Sequence, residues 1–418
     1  MKRIWFAPLV ALVSCLFVAS CSNPSSDRPA KSGFVTIEGP NLVKPNGERL
    51  FIKGTNLSNW MNPEGYMFDF GETNSATRIN RMLSELVGPT ATKRFWKAFK
   101  DNYITKDDLL FIAQQGANTV RMPFNYRSFT DEDYMGVTSR GDGFERIDTL
   151  VSWCREAGLY LILDMHDAPG GQTGYNIDDS YGYPWLFLEQ DDEDTFCNIW
   201  KKIAAHYASE TQILGYELLN EPIANYWPEH EEMNKLLEPL YKRATAAIRE
   251  VDKNHIIILG APQWNLNFSV FEDIRFDDKL MYTCHKYDGQ PRENIKDFIA
   301  FRDSVNLPMY MGEIGHNPED WQESMCRLME EVNIGYTFWP YKKVGNECFA
   351  SIVAPEGWER VKAFAANPRV GYFDIYRARP NQDSMKVVLN QFIENIKLKN
   401  CQVNEDYIRS LRLNVEVK

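Results

Sequence analysis

Gly215-Tyr216-Glu217-Leu218-Leu219-Asn220-Glu221-Pro222 is a short apolar run that ends abruptly in an amide, a carboxylate and a proline. Leu218 and Leu219 suit a parallel strand covered on both faces, whereas Asn220 and Glu221 are costly to desolvate unless a strand end gives them partners. Pro222 donates no amide hydrogen bond, so a ladder stops there. A helix-capping Asn followed by an acidic first turn fits these eight residues equally well, so the rest of the chain has to decide.

Working outward, short apolar runs alternate with amphipathic segments. Strands are predicted over residues 50–56, 117–123, 160–166, 213–221, 255–262, 280–287, 308–315 and 334–341. Between them, Thr105-Lys106-Asp107-Asp108 reads as a capping-box start and Gly116 as a helix stop. Residues 191–209 carry Phe196, Ile199, Trp200, Ile203, Ala204 and Tyr207 at helical spacing, so these aromatics belong to the core. Similar stripes run through 232–251 (Leu236, Leu240, Ala244, Ala247, Ile248, Val251) and 385–399 (Val388, Phe392, Ile396). Repeated strand-then-helix units mean a parallel sheet covered on its faces. Eight of them favour closure into a (β/α)8 TIM barrel over a doubly wound open sheet, which often carries a Gly-rich dinucleotide fingerprint that is missing here, as is a P-loop. Asn46-Gly47 between residues 34–37 and 50–54 predicts a short N-terminal β-hairpin, and the βα loops are long.

The 418-residue chain is long enough for one such barrel, and its aromatic share of 13%, with 11 Trp and 20 Tyr, also suits stacking on sugar rings. Residues 1–20 have the layout of a secretory signal: Lys2 and Arg3, then an apolar run. Leu16-Phe17-Val18-Ala19-Ser20-Cys21 resembles a bacterial lipobox, which implies lipidation of Cys21 and a flexible tether over 21–33. The expected location is then the cell envelope, as an exported lipoprotein of the outer membrane, on its periplasmic or surface side, held by the N-terminal lipid. Removing Lys2 and Arg3 takes the formal net charge from −12 to −14, which argues against nucleic acid as a partner. The six later cysteines (154, 197, 284, 326, 348, 401) show no CxxC pair and no His-rich neighbourhood, so buried thiols are expected and neither a metal nor a cofactor is called for. The barrel is assigned to residues 34–399, and 400–418 to a tail or added strand. Oligomeric state is left open.

Barrel enzymes act at the carboxyl ends of their strands, and the predicted ends here are Val120-Arg121-Met122-Pro123, Asp164-Met165-His166, Asn220-Glu221-Pro222, Cys284-His285-Lys286-Tyr287, Gly312-Glu313-Ile314-Gly315 and Phe338-Trp339-Pro340. A lone strand-end His is more often structural than catalytic, but the whole set is hard to produce by chance. Glu221 and Glu313, on strands four and seven, face one another across the mouth, where paired carboxylates can divide acid and base work.

The set Arg121, His166, Asn220, Glu221, His285, Tyr287, Glu313 and Trp339 resembles glycoside hydrolase family 5, the cellulase-like retaining enzymes, from about Gly39 through Trp339. The resemblance implies that Glu313 attacks the anomeric carbon while Glu221 serves as acid and then base, with the carboxylates about 5–5.5 Å apart. It implies further that Arg121 and Tyr287 hold Glu313 ionised, that Asn220 binds the sugar 2-hydroxyl, that His166 and His285 contact the reacting sugar or Glu221, and that Trp339 floors the site. Packing alone would also account for a strand-end Trp. The loop of residues 166–185 begins His-x-Ala-Pro-Gly, which resembles members acting on β-1,3-glucans, although Asp167 and Gly171 depart from the usual glycine and serine. Trp185, Tyr226, Trp227 and Trp264 are candidate sugar platforms or, equally, structural aromatics under long loops. The expected activity is hydrolysis of a β-glucan-type chain, a β-linked glycan being the partner. Alternatives are β-mannan, a glycolipid, a transglycosylase with the same residues, or a noncatalytic glycan-binding lipoprotein.

Overall fold

Eight parallel strands close into a barrel: β1 (Lys53–Asn56), β2 (Thr119–Asn125), β3 (Tyr160–Asp167), β4 (Ile213–Glu217), β5 (Ile256–Gly260), β6 (Leu280–His285), β7 (Met309–Gly315) and β8 (Gly335–Trp339), with β8 pairing back onto β1. The computed structural model describes, besides Met1, residues 33–138, 142–273, 275–289 and 295–417. The expected signal sequence, the lipidation of Cys21 and all but the last residue of the expected tether over 21–33 fall on residues 2–32, outside the described residues. All eight expected strands are present, the fourth ending at Glu217, so Asn220 and Glu221 stand just beyond the ladder. Helices between the strands bury one face each. The stripe at Phe196, Ile199, Trp200, Ile203, Ala204 and Tyr207 is wholly buried in Gln190–Tyr207, and Val388, Phe392 and Ile396 are buried in and just after Gln382–Asn395. Among the described residues no helix is long and apolar enough to cross a membrane.

Two expectations need correction. In His230–Arg249 the buried face is Met233, Leu237, Leu240, Tyr241, Ala244 and Ile248, while Leu236 is exposed. Leu236 and Leu237 are adjacent and compete for one stripe, and the Tyr241 hydroxyl, donating to the Gly260 carbonyl at 2.8 Å, fixes the rotation that buries Leu237. The N-terminal hairpin is instead a three-stranded meander. Thr36–Glu38 pairs with Asn41–Val43, which pairs with Arg49–Leu50, because a second tight turn at Gly39-Pro40 precedes the Asn-Gly turn.

That meander plugs the barrel. Val35, Leu42 and Leu50 pack in one buried cluster with Ile162, Leu214, Ile256, Ile258 and Met281 from the early part of the strands. On β3 the side-chain period of two then carries the same inward face from Ile162 to Asp164 to His166, from grease to charge to the mouth. At Thr105 the capping box forms, with Asp108 accepting from the Thr105 amide at 2.8 Å. Gly116, at φ +97°, turns the chain out of that helix under Asn414, where a Cβ would lie 2.1 Å from the Asn414 Oδ1. Residues 402–403 add a strand antiparallel to Ala350–Ile352, and beyond it the carbonyls of Arg412 and Val415 each accept from the Lys53 Nζ at 2.7 Å. The segment after residue 400 is therefore tied to β1, and Gly33–Lys418 makes one compact unit.

Candidate active site

Arg121, fully buried on β2, is the hub. Nη1 donates to Glu313 Oε1 at 2.7 Å and to Asn56 Oδ1 at 3.0 Å, and Nη2 donates to Glu217 Oε1 at 2.7 Å and Asn220 Oδ1 at 2.8 Å, with Asp164 Oδ2 at 3.0 Å. Burial opposes its charge, but the carboxylates of Asp164, Glu217 and Glu313 hold the guanidinium charged well beyond its ordinary range. A planar fork with several donors is what such a layer needs, and a lysine could not make these bonds. Glu217 also accepts from the Tyr310 hydroxyl.

On this charged layer stand the pocket groups. Glu313, near the end of β7, receives Arg121 on one oxygen and the Tyr287 hydroxyl, at 2.6 Å, on the other. Burial alone would raise its pKa, yet His285, Arg121 and Tyr287 together hold it at about 2. Glu221 is carried on the segment past β4 with φ +42°, a left-handed conformation uncommon for a non-glycine residue. Its Oε1 lies 2.7 Å from His285 Nδ1, and His285 Nδ1 lies 3.6 Å from Glu313 Oε2. One oxygen each of Glu221 and Glu313 and a nitrogen of His285 lie within 4.8 Å of one another. Such a trio could ligate a cation, but both Glu313 oxygens already accept strong bonds and Arg121 supplies positive charge beside them. The arrangement is therefore suited to proton and nucleophile chemistry.

His166 Nδ1 is 2.8 Å from Asp164 Oδ2, its ring stacks on Trp339 at 5.1 Å and 5°, and Asn220 Nδ2 approaches Nε2 at 3.3 Å. The Trp339 indole N–H donates to the Tyr66 hydroxyl. Six residues of the expected set, His166, Asn220, Glu221, Tyr287, Glu313 and Trp339, line one cavity of about 550 Å³ at the mouth, and the buried Arg121 and His285 bond to its carboxylates from behind. Of the four candidate platforms only Trp264 lines it. Trp185 lines a separate cleft with Tyr126 and Tyr181. Trp227 packs edge-on against Tyr183 and donates to the Thr173 carbonyl at 2.6 Å, which Tyr226 reaches at 3.4 Å, so both brace the loop.

Several pocket groups escaped sequence reasoning. Glu64 is buried with its Oε1 lacking a hydrogen-bond partner and 3.5 Å from His166 Nε2, and burial raises its pKa. A single charge in the otherwise uncharged stretch Trp60-Met61-Asn62-Pro63-Glu64 was the available signal. Asp164 and Glu217, acids inside apolar strands, carried the same signal. Gln172 pins the long loop by donating to the carbonyls of His166 at 2.6 Å and Asn220 at 3.0 Å, and Asp178 gathers the amides of Gln172, Thr173 and Gly174. His316 also lines the cavity, its pKa lowered to about 4 by burial and Lys343.

The sequence profile of the family Cellulase (glycosyl hydrolase family 5) matches residues 82–345. A β-xylosidase of Phanerodontia chrysosporium is 30% identical over 256 residues, 61% of this chain and 52% of that protein, so the chain spans about half the length of this relative. Endoglucanase C of Acetivibrio thermocellus is 28% identical over 334 residues, 65% of this chain and 93% of that protein. Among solved structures, an endogalactoceramidase superposes with a TM-score of 0.56 at 18% identity, covering 74% of this chain and 75% of that one, a likeness of fold.

Proposed function

The chain belongs to glycosyl hydrolase family 5, and on that premise we propose that it is a retaining β-glycosidase that cleaves a β-glucan-type glycan by double displacement. The observation that carries this reading is the carboxylate pair: one oxygen each of Glu221 and Glu313 lies within 4.8 Å of the other, which supports the close spacing of a retaining pair, about 5–5.5 Å, over the about 6.5–9.5 Å of an inverting one. Glu313, ionised and aimed by Arg121 and Tyr287, attacks the anomeric carbon as Glu221 delivers its proton to the departing oxygen. Esterification of Glu313 then removes a negative charge beside Glu221, which lowers the proton affinity of Glu221 and lets it take the proton of an entering water. Asn220, anchored through Oδ1 on Arg121, presents its amide to the sugar 2-hydroxyl. The His-x-Ala-Pro-Gly loop start supports a β-glucan, including the β-1,3 linkage.

Glu313→Ala is expected to lose at least about 10³-fold in kcat on any glycan the native protein cleaves. Wild-type turnover in this variant would overturn the nucleophile assignment. Incubation with β-1,3-, β-1,4- and mixed-linkage glucans, mannan and xyloglucan should give products only from glucans, released with β configuration by NMR. An α product would exclude double displacement, and cleavage of mannan alone would move the substrate away from glucan.

A further inference from the structure

Behind His285, on the side away from the carboxylates, sits Asn265, fully buried just beyond β5. Its Nδ2 lies 3.0 Å from His285 Nε2, while its Oδ1 has no hydrogen-bond partner. Three consecutive residues with positive φ, Gln263 (53°), Trp264 (65°) and Asn265 (59°), fold the backbone so that this amide points inward, and the Asn265 amide N–H is bonded to the Ala261 carbonyl at 3.0 Å. Such a run of non-glycine residues is costly and persists only where its surroundings enforce it.

An amide has one donor end and one acceptor end, and rotating it by half a turn exchanges them. With the NH2 end toward Nε2, the imidazole must be neutral, its one proton on Nδ1 and directed at Glu221. With the oxygen end toward Nε2, that nitrogen carries a proton, and the ring is an imidazolium whenever Nδ1 also keeps its N–H toward an ionised Glu221. The pocket around the amide suits both states. Asn265 Oδ1 and the Leu219 carbonyl oxygen lie 2.3 and 3.0 Å from the same point, the place a Cβ on Gly260 would occupy. The unpartnered oxygen and the Leu219 carbonyl thus border the same small space above Gly260, into which an amide turned end for end would direct its N–H. Gly312 keeps the other flank of the ring clear, since a Cβ there would come within 3.0 Å of His285 Nε2.

We propose that Asn265 is a positioning residue whose amide orientation selects the protonation state of His285 and, through it, the proton available to Glu221. This rests on the reading of Glu221 as acid and base. The titratable and charged groups around His285 are Glu221 past β4, Glu217 at the end of β4, Glu313 and Tyr310 on β7 and Arg121 on β2. Burial opposes a charge on His285, but Glu313 and Glu221 raise its pKa, so the imidazolium is within reach and the neutral amide is the part able to serve either form.

The test uses the full chain labelled with ¹⁵N-histidine, His285 being assigned from the signal lost in His285→Gln. Asn265→Asp offers only acceptors and should raise the His285 midpoint by about one pH unit, whereas Asn265→Leu offers neither end and should lower it. The basic limb of kcat/KM on cellotetraose, whose sugar leaving group needs a proton, should move in the same opposite directions, with KM changed less than about twofold. A His285 midpoint common to all three proteins overturns the role of Asn265, however slow the variants are. Opposite midpoint shifts with an unmoved basic limb overturn the link from His285 to the proton of Glu221, while a Glu221→Ala variant with equal losses on a glycan and on an aryl glycoside would overturn Glu221 as the acid itself. Should Asn265→Leu fail to fold, the upward shift in Asn265→Asp decides alone.

Discussion

Tyr287 does a narrow job that can be measured. Its hydroxyl is one of the two strong donors that keep Glu313 ionised, and it lies 2.6 Å from Oε2. Glu313 is held at about 2 in the folded protein, below its ordinary 4.5. A depressed carboxylate pKa stabilises the fold above the ordinary value, and that contribution is lost as pH falls from about 4.5 towards 2. Tyr287→Phe removes a donor to the charged form, so the Glu313 pKa rises. The acid limb of kcat/KM should move towards neutral pH with kcat falling about tenfold, and an unmoved limb would mean that Arg121 alone sets the charge. At Glu221 the expectation concerns the leaving group: Glu221→Ala should cost about 10²–10⁴ on a natural glycan, but far less on an aryl glycoside whose phenolate needs no proton. Equal losses on both substrates would count against proton delivery by Glu221. Residues of this kind were readable because each breaks an apolar strand at its end. Asn265 was not, because its part depends on a backbone turn that no local pattern announces.

Between strands, spacing matters more than identity. β6 and β7 approach so closely at Gly312 that an added Cβ would fall 2.4 Å from Thr283 Oγ1 and 3.0 Å from His285 Nε2. Gly312→Ala should therefore displace His285 from Glu221, cutting kcat by about tenfold or more while circular dichroism stays native. Unchanged kinetics would show that the ring can give way without consequence. The eight strands were legible because continuous apolar runs of strand length, spaced by helical stripes, admit few other readings. The helix of residues 230–249 was misread by one residue, since Leu236 and Leu237 satisfy the same period and only the packing of Tyr241 chooses between them. Loop aromatics were the least legible part: Trp227 and Trp264 look alike in sequence, and only the fold sends one indole to a loop carbonyl and the other into the cavity.

At the scale of the whole molecule, charge and closure set the behaviour. A net charge of −12 keeps acidic polymers away and leaves neutral glycans unaffected. The six cysteines from Cys154 onward are free thiols, five of them buried, so the barrel owes nothing to disulfides. The segment after residue 400 supplies a strand and two carbonyl acceptors for the otherwise buried Lys53 ammonium. A protein ending at Asn400 should lose about 3 kcal/mol or more of stability in denaturant titration, because it leaves that ammonium short of partners. Loss of less than about 0.5 kcal/mol would make the segment an appendage. The meander that fills the base of the barrel has a further result, in the order of events. Among the described residues the base of the barrel is closed by side chains, so under the proposed double displacement the first product would leave through the mouth by which water enters, and a second sugar there would compete with water for the bound glycosyl group. If the proposed double displacement holds, high glycan concentration should turn part of the output from cut chains to rejoined ones.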